Sequence, residues 1–165
     1  MELKVFNHGI GQNTYHFVWC PRFRHKIFQH EEIKFACENI LRAICSKYSF
    51  DIIELEIGID HIHLFIDISP YVSVSKVLQL LKGISSRILR KSFPILLKRY
   101  YWKGGIWSRG KFFRSVGNVT SDVIRNYINR QNQPKFKFDF QRYIRKARQN
   151  QHRLKAQKSL VGFCA

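Results

Sequence analysis

Two histidines one residue apart, His61 and His63, open the segment HIHLFIDI, in which Ile62, Leu64, Ile66 and Ile68 take the alternate positions. Successive side chains of a β-strand point to opposite faces, so the four aliphatics share the core face and His61, His63, Phe65 and Asp67 share the other. Two residues along a strand span roughly 7 Å, which lets one divalent ion take a nitrogen from each imidazole. Exposed or hydrogen-bonded histidines produce the same pattern. A second pair, Tyr127 and Gln131, is spaced by four and lies on one helical face; a half-buried tyrosine in an amphipathic helix with Val123, Ile124 and Ile128 is the bland alternative. Together the pairs suggest one chemistry. Two imidazole nitrogens and the Gln131 carbonyl oxygen would hold a cation with open positions for a phosphodiester, and the Tyr127 hydroxyl would attack phosphorus to give a 5′-phosphotyrosine and a 3′-hydroxyl. A phenol with an ordinary pKa of about 10 needs activation, and no dedicated base stands out.

The elements that would position these residues follow from periodicity. Thr14–Pro21 alternates Tyr15, Phe17 and Trp19 against His16, Val18 and Cys20 and reads as a strand. Glu31–Tyr48 switches to three- and four-residue steps through Ile33, Cys37, Ile40, Leu41, Ile44 and Cys45, a helix with Glu31 and Glu32 in its first turn. Asp51–Ile59, with Ile53, Leu55, Ile57 and Ile59 on one side, and His61–Ile68 predict an antiparallel hairpin turning near Asp60. Ser73 caps a second helix to about Lys91 with an apolar stripe of Val77, Leu81, Ile84 and Ile88. Lys98–Gly110 reads as loop, Lys111–Val116 as a fourth strand, and a third helix starts at Thr120 or Ser121 and reaches Gln131 before Pro134. This order predicts an α+β, ferredoxin-like (RRM-like) sandwich: an antiparallel sheet of four to five strands, helices on one face, the other face open, and a C-terminal helix carrying the tyrosine.

The chain has 165 residues, about one domain's worth; the reading places a catalytic domain at 1–134 and a basic extension at 135–165. Lys plus Arg number 29 against 11 Asp plus Glu, a formal charge of +18. Residues 1–68 hold 7 basic and 9 acidic side chains, 69–134 hold 13 and 1, and 135–165 hold 9 and 1. A near-neutral first part beside a strongly basic remainder points to one positive face and a polyanionic partner. No stretch is long and apolar enough to span a membrane and no signal peptide is evident, so a cytoplasmic protein is expected. Cys20, Cys37, Cys45 and Cys164 lack metal or disulfide spacing and read as buried thiols.

Five ordered blocks carry a resemblance: FVWCPRFRHKIF at 17–28, DHIHLFIDISP at 60–70, VSKVLQLLKGISSRILR at 74–90, GGIWSRGKFFRSVGNVT at 104–120 and VIRNYINRQ at 123–131. In these the chain resembles the HUH single-tyrosine transposases of the insertion sequence 200/605 group. The resemblance implies a homodimer that cuts and rejoins single-stranded DNA at transposon ends, reads subterminal hairpins, and uses Mg²⁺ or Mn²⁺. It implies His61, His63 and Gln131 as metal ligands and Tyr127 as nucleophile, with the histidines of one subunit meeting the tyrosine helix of the other. Imidazole would equally accept Zn²⁺. The tail after Pro134 matches no motif of that family.

DNA contacts are expected from Arg22, Arg24 and Lys26 after the first strand, from Lys82, Arg87 and Arg90 on the second helix, and from Lys103, Arg109 and Lys111 among Tyr101, Trp102 and Trp107. Cations interleaved with aromatics suit a single strand whose bases stack on rings. On the second helix, Gln79, Lys82, Gly83, Ser86 and Arg90 form a polar stripe whose small members would admit a phosphate backbone between cations. Core packing is the alternative for Trp102 and Trp107, and a solvated turn for Arg22, Arg24 and Lys26. Two rival functions remain: an HUH nickase of replication or conjugation, and a non-catalytic single-stranded nucleic-acid-binding module.

Overall fold

A computed structural model describes residues 4–6, 9–101, 103–117 and 126. The chain divides into two units, Met1–Asn129 and Arg130–Ala165, and the described residues belong to the first. Tyr127, Gln131, the helix expected to carry them, Trp102, Cys164 and the boundary expected at 134/135 lie outside the described residues.

Among residues 4–117 that are described, the named strands and α-helices follow in order: β1 (Lys4–Phe6), β2 (Gly9–Gly11), β3 (Thr14–Trp19), α1 (Glu31–Lys47), β4 (Asp51–Ile57), β5 (Ile62–Asp67), α2 (Val74–Ser92), α3 (Pro94–Tyr100) and β6 (Phe112–Ser115). Two short 3₁₀ turns, Arg22–Arg24 and Ile27–Gln29, link β3 to α1. β4, β5, β3 and β6 form an antiparallel sheet in that spatial order, and β1 pairs with β2 in a separate ribbon. Leaving the ribbon aside, the chain runs β-α-β-β-α-β with its first and third strands innermost, the ferredoxin-like arrangement expected above.

One sheet face carries the main core. Phe17 and Trp19 of β3 and Ile62, Leu64 and Ile66 of β5 pack with Ile33, Cys37 and Leu41 of α1 and Val77, Leu78 and Leu81 of α2. The three cysteines described are buried free thiols, and burial raises the Cys45 thiol to about 12. Ser73 caps α2 by accepting from the Lys76 amide at 3.2 Å. The stripe that α2 buries is Val77, Leu78, Leu81, Ser85 and Leu89; the expected member Ile88 is exposed.

Three further expectations are corrected. The β4–β5 register shifts between Ile52 and Glu54, so Ile53 leaves the core side and packs near Phe65 on the opposite face; Ile59 is exposed in the turn. Part of the segment expected as loop is helical: α3 starts with Pro94 at its first turn, where the missing N–H costs nothing, and runs to Tyr100. The second sheet face is not open at its centre, because Thr14, His16, His63, Phe65 and Asp67 are all buried.

Candidate active site

Pairing of β3 with β5 sets Val18 opposite His63 and His16 opposite Phe65, so His16 and His63 are diagonal neighbours on the second face. His16 Nε2 lies 3.0 Å from His63 Nδ1. The His16 ring stacks on Phe65 with centroids 4.0 Å apart and planes 6° from parallel, and meets the edge of Phe112 on β6. His61, at the mouth of the β4–β5 hairpin, stands perpendicular to His63 with ring centroids 4.9 Å apart. Its Nδ1 contacts Asp60 Oδ1 at 2.7 Å, while Asp60 Oδ2 accepts from Arg24 Nε at 3.0 Å. The Gly58 amide donates to the His61 carbonyl at 2.9 Å, closing the turn. A Cβ on Gly58 would come within 2.6 Å of His61 Cε1, so the ring occupies space that only glycine leaves.

Electrostatics separate these groups. Burial lowers His63 to about 3 and His16 to about 4, with neighbouring His61 and Arg114 adding smaller pushes in the same direction. Both rings are therefore neutral at pH 7, the form that ligates a metal. Asp60 is held at about 2, chiefly by its hydrogen bond to His61 and secondarily by Arg24, and is ionised. A carboxylate only accepts, so the His61 nitrogen that faces Asp60, Nδ1, carries a proton.

The rings of His61 and His63 are thus adjacent. Among the described residues, no group of three His, Cys, Asp or Glu side chains could complete a metal site. Two adjacent imidazoles, that of His63 neutral, fit a divalent cation that takes its remaining ligands from an amide, substrate or water. His16, absent from the expected site, belongs to it by geometry; its period-two placement beside Val18 was visible in the sequence, but not the register that pairs it with β5.

The cations divide by what they touch. Lys82 Nζ donates to the Ser108 carbonyl at 2.8 Å and to the Gly110 carbonyl at 3.2 Å, and burial lowers its pKa to about 8. Ser86 Oγ accepts from the Ile106 amide at 3.0 Å, and Arg90 donates to the Gly104 carbonyl. Arg22 Nη1 donates to the Lys103 carbonyl at 3.1 Å. The α2 stripe read as a phosphate approach therefore grips the 103–110 loop, and Gly104, with φ of +87°, permits the close pass of Arg22. Tyr101 and Trp107 are buried rather than presented for stacking, and the Trp107 indole N–H donates to Ser85 Oγ at 2.9 Å. Lys26, Arg87, Lys103, Arg109 and Lys111 are exposed, as is Arg24, paired with Asp60.

The described residues form a ferredoxin-like sheet with two adjacent histidine rings at one end, and comparison with known families places the chain. The family described as "Transposase IS200 like" matches residues 10–131, and the chain belongs to it. The IS200 insertion-element transposase of Salmonella typhimurium is 38% identical over 128 residues, which cover 78% of this chain and 82% of that protein. The ISDra2 transposase TnpA of Deinococcus radiodurans is 29% identical over 131 residues, covering 79% of this chain and 92% of that one. A crystal structure of a transposase from Deinococcus radiodurans superposes with a TM-score of 0.64 at 27% identity, covering 78% of this chain and 97% of that one.

Proposed function

We propose that this transposase cuts and rejoins single-stranded DNA at insertion-sequence ends through a covalent tyrosine intermediate, with a divalent metal held by His61, His63 and Gln131. The observation that carries the reading is the close approach of the His61 and His63 rings, with His61 Nδ1 held by ionised Asp60. Mg²⁺ or Mn²⁺ bound there supplies charge neutralisation at the phosphate oxygens. The chain's own part is nucleophilic. Tyr127 Oη forms a bond to phosphorus as the bond to the 3′-oxygen breaks; the phenolic proton leaves, and the 3′-oxygen is released as a hydroxyl that can reverse the step at a new end. The exposed cations hold the backbone of the strand, and hairpins near the ends locate it. The family resemblance supports a homodimer in which the histidines of one subunit serve the tyrosine of the other.

Incubation of the protein with hairpin-bearing single-stranded DNA and Mn²⁺ should give an adduct that survives denaturation. Tyr127→Phe should abolish it without weakening DNA binding; an undiminished adduct would remove Tyr127 from its role and leave a binding module as the better reading. Mixing His61→Ala with Tyr127→Phe protein should restore adduct formation in hybrid dimers, up to about a quarter of the wild-type level when subunits exchange at random. No rescue on mixing would place the whole site within one chain.

A further inference from the structure

We propose that His16 is a positioning residue of the metal centre: its Nε2 accepts the proton that His63 carries on Nδ1, which presents His63 Nε2 bare for coordination. The inference rests on the metal reading of His61 and His63 above and deepens it.

His16 and His63 come from neighbouring strands, 47 positions apart in the chain, and their ring nitrogens lie 3.0 Å apart. Two neutral imidazoles at that distance share one proton, in one of two ways. If His16 Nε2–H donated to His63 Nδ1, the proton of His63 would sit on Nε2 and that nitrogen could not ligate. If His63 Nδ1–H donates to His16 Nε2, the His63 Nε2 keeps its lone pair. His61 shows which pattern the site uses, since Asp60 can only accept and so sets the His61 proton on Nδ1. Both candidate ligands are then held from behind by Nδ1, one by a carboxylate at the sheet's end and one by an imidazole at its centre.

The choice of partner follows from burial. His16 is 3% exposed and His63 2%; a carboxylate at position 16 would bring a charge into that interior at a large desolvation cost, whereas a neutral ring accepts without one. The stack on Phe65, with Phe112 at the edge, fixes the plane of the His16 ring and so the direction of its acceptor lone pair.

The test uses the full chain labelled with ¹⁵N-histidine, without metal or DNA, at pH 7. Long-range ¹H–¹⁵N correlation reads the tautomer of each ring. Protonated Nδ1 and bare Nε2 on His63 are expected. His16→Phe keeps a ring on Phe65 but removes the acceptor; it should release His63 into mixed tautomers and lower Mn²⁺ affinity about 10- to 100-fold by titration. His16→Gln restores an acceptor oxygen and should recover much of both. A His63 protonated on Nε2 in the wild-type chain, or His16→Phe with unchanged Mn²⁺ affinity, overturns the proposal. Should His16→Phe fail to fold, the wild-type spectrum and His16→Gln decide between these outcomes. Expected tautomers with no Mn²⁺ uptake by the wild-type chain would defeat the metal reading itself, and this role for His16 with it.

Discussion

His61 depends on its neighbours in ways that single substitutions separate. Gly58→Ala would set a methyl within 2.6 Å of the ring, and the imidazole, as the movable party, would give way. Thermal stability should stay within a few degrees of wild type while adduct formation falls about 100-fold, as misplacement of a reacting group by about 1 Å can cost. The buried rings add a pH dependence. The native chain binds fewer protons than the unfolded chain wherever a histidine of ordinary pKa 6.5 is held at about 4 or about 3. Stability linked to keeping these two rings neutral is complete above pH 6.5 and is lost as pH falls through about 4 for His16 and about 3 for His63. Urea midpoints should drop between pH 7 and pH 5, and less steeply in His16→Phe, which has one such proton fewer to take up. At this scale the sequence showed the candidate ligands themselves, because a period-two alternation sorts faces. It did not show that His16 stands behind His63, because strand register depends on contacts between segments far apart in the chain.

Among the elements, β3, α1, β4, β5 and α2 were legible nearly to their ends, each having an apolar period long enough to declare its geometry, and the four-residue β6 also fell within its expected bounds. The β1–β2 ribbon escaped notice: three residues per strand make no period, and its Val5 and Ile10 are exposed. Seven-residue α3 buries only Leu97 and so lacks a stripe to read. The polar face of α2 was misread because a lysine that serves two loop carbonyls has the same sequence signature as one that awaits a phosphate. Substitutions should separate the two. Lys82→Met leaves the Ser108 carbonyl without its side-chain donor and takes one of two donors from the Gly110 carbonyl, and Ser85→Ala leaves the Trp107 indole N–H without its acceptor. Each should cost about 1–3 kcal/mol in chemical denaturation, the usual penalty for a buried polar group left unpaired.

For the whole molecule, the charge of +18 makes DNA affinity a function of salt. On a single strand each phosphate contact contributes about −0.7 to the slope of log K against log salt. Arg109→Ala or Lys111→Ala should flatten that slope by about this amount while leaving the denaturation midpoint within experimental scatter. Lys82→Met should do the reverse, moving the midpoint and sparing the slope. An unchanged slope in the exposed-cation variants would direct the search for phosphate contacts to other basic residues.

The placement of His16 and His63 on β3 and β5 carries one more consequence. These are the inner strands of the sheet, flanked on both sides by hydrogen-bonded neighbours. Their amides should be among the last to exchange with deuterium, since edge strands fray first and central ones open only with the entire domain. The His16–His63 pair rooted there cannot loosen ahead of its scaffold. On warming, the tautomer signature of that pair and native structure should disappear at one temperature, with no folded state in which the two rings have parted.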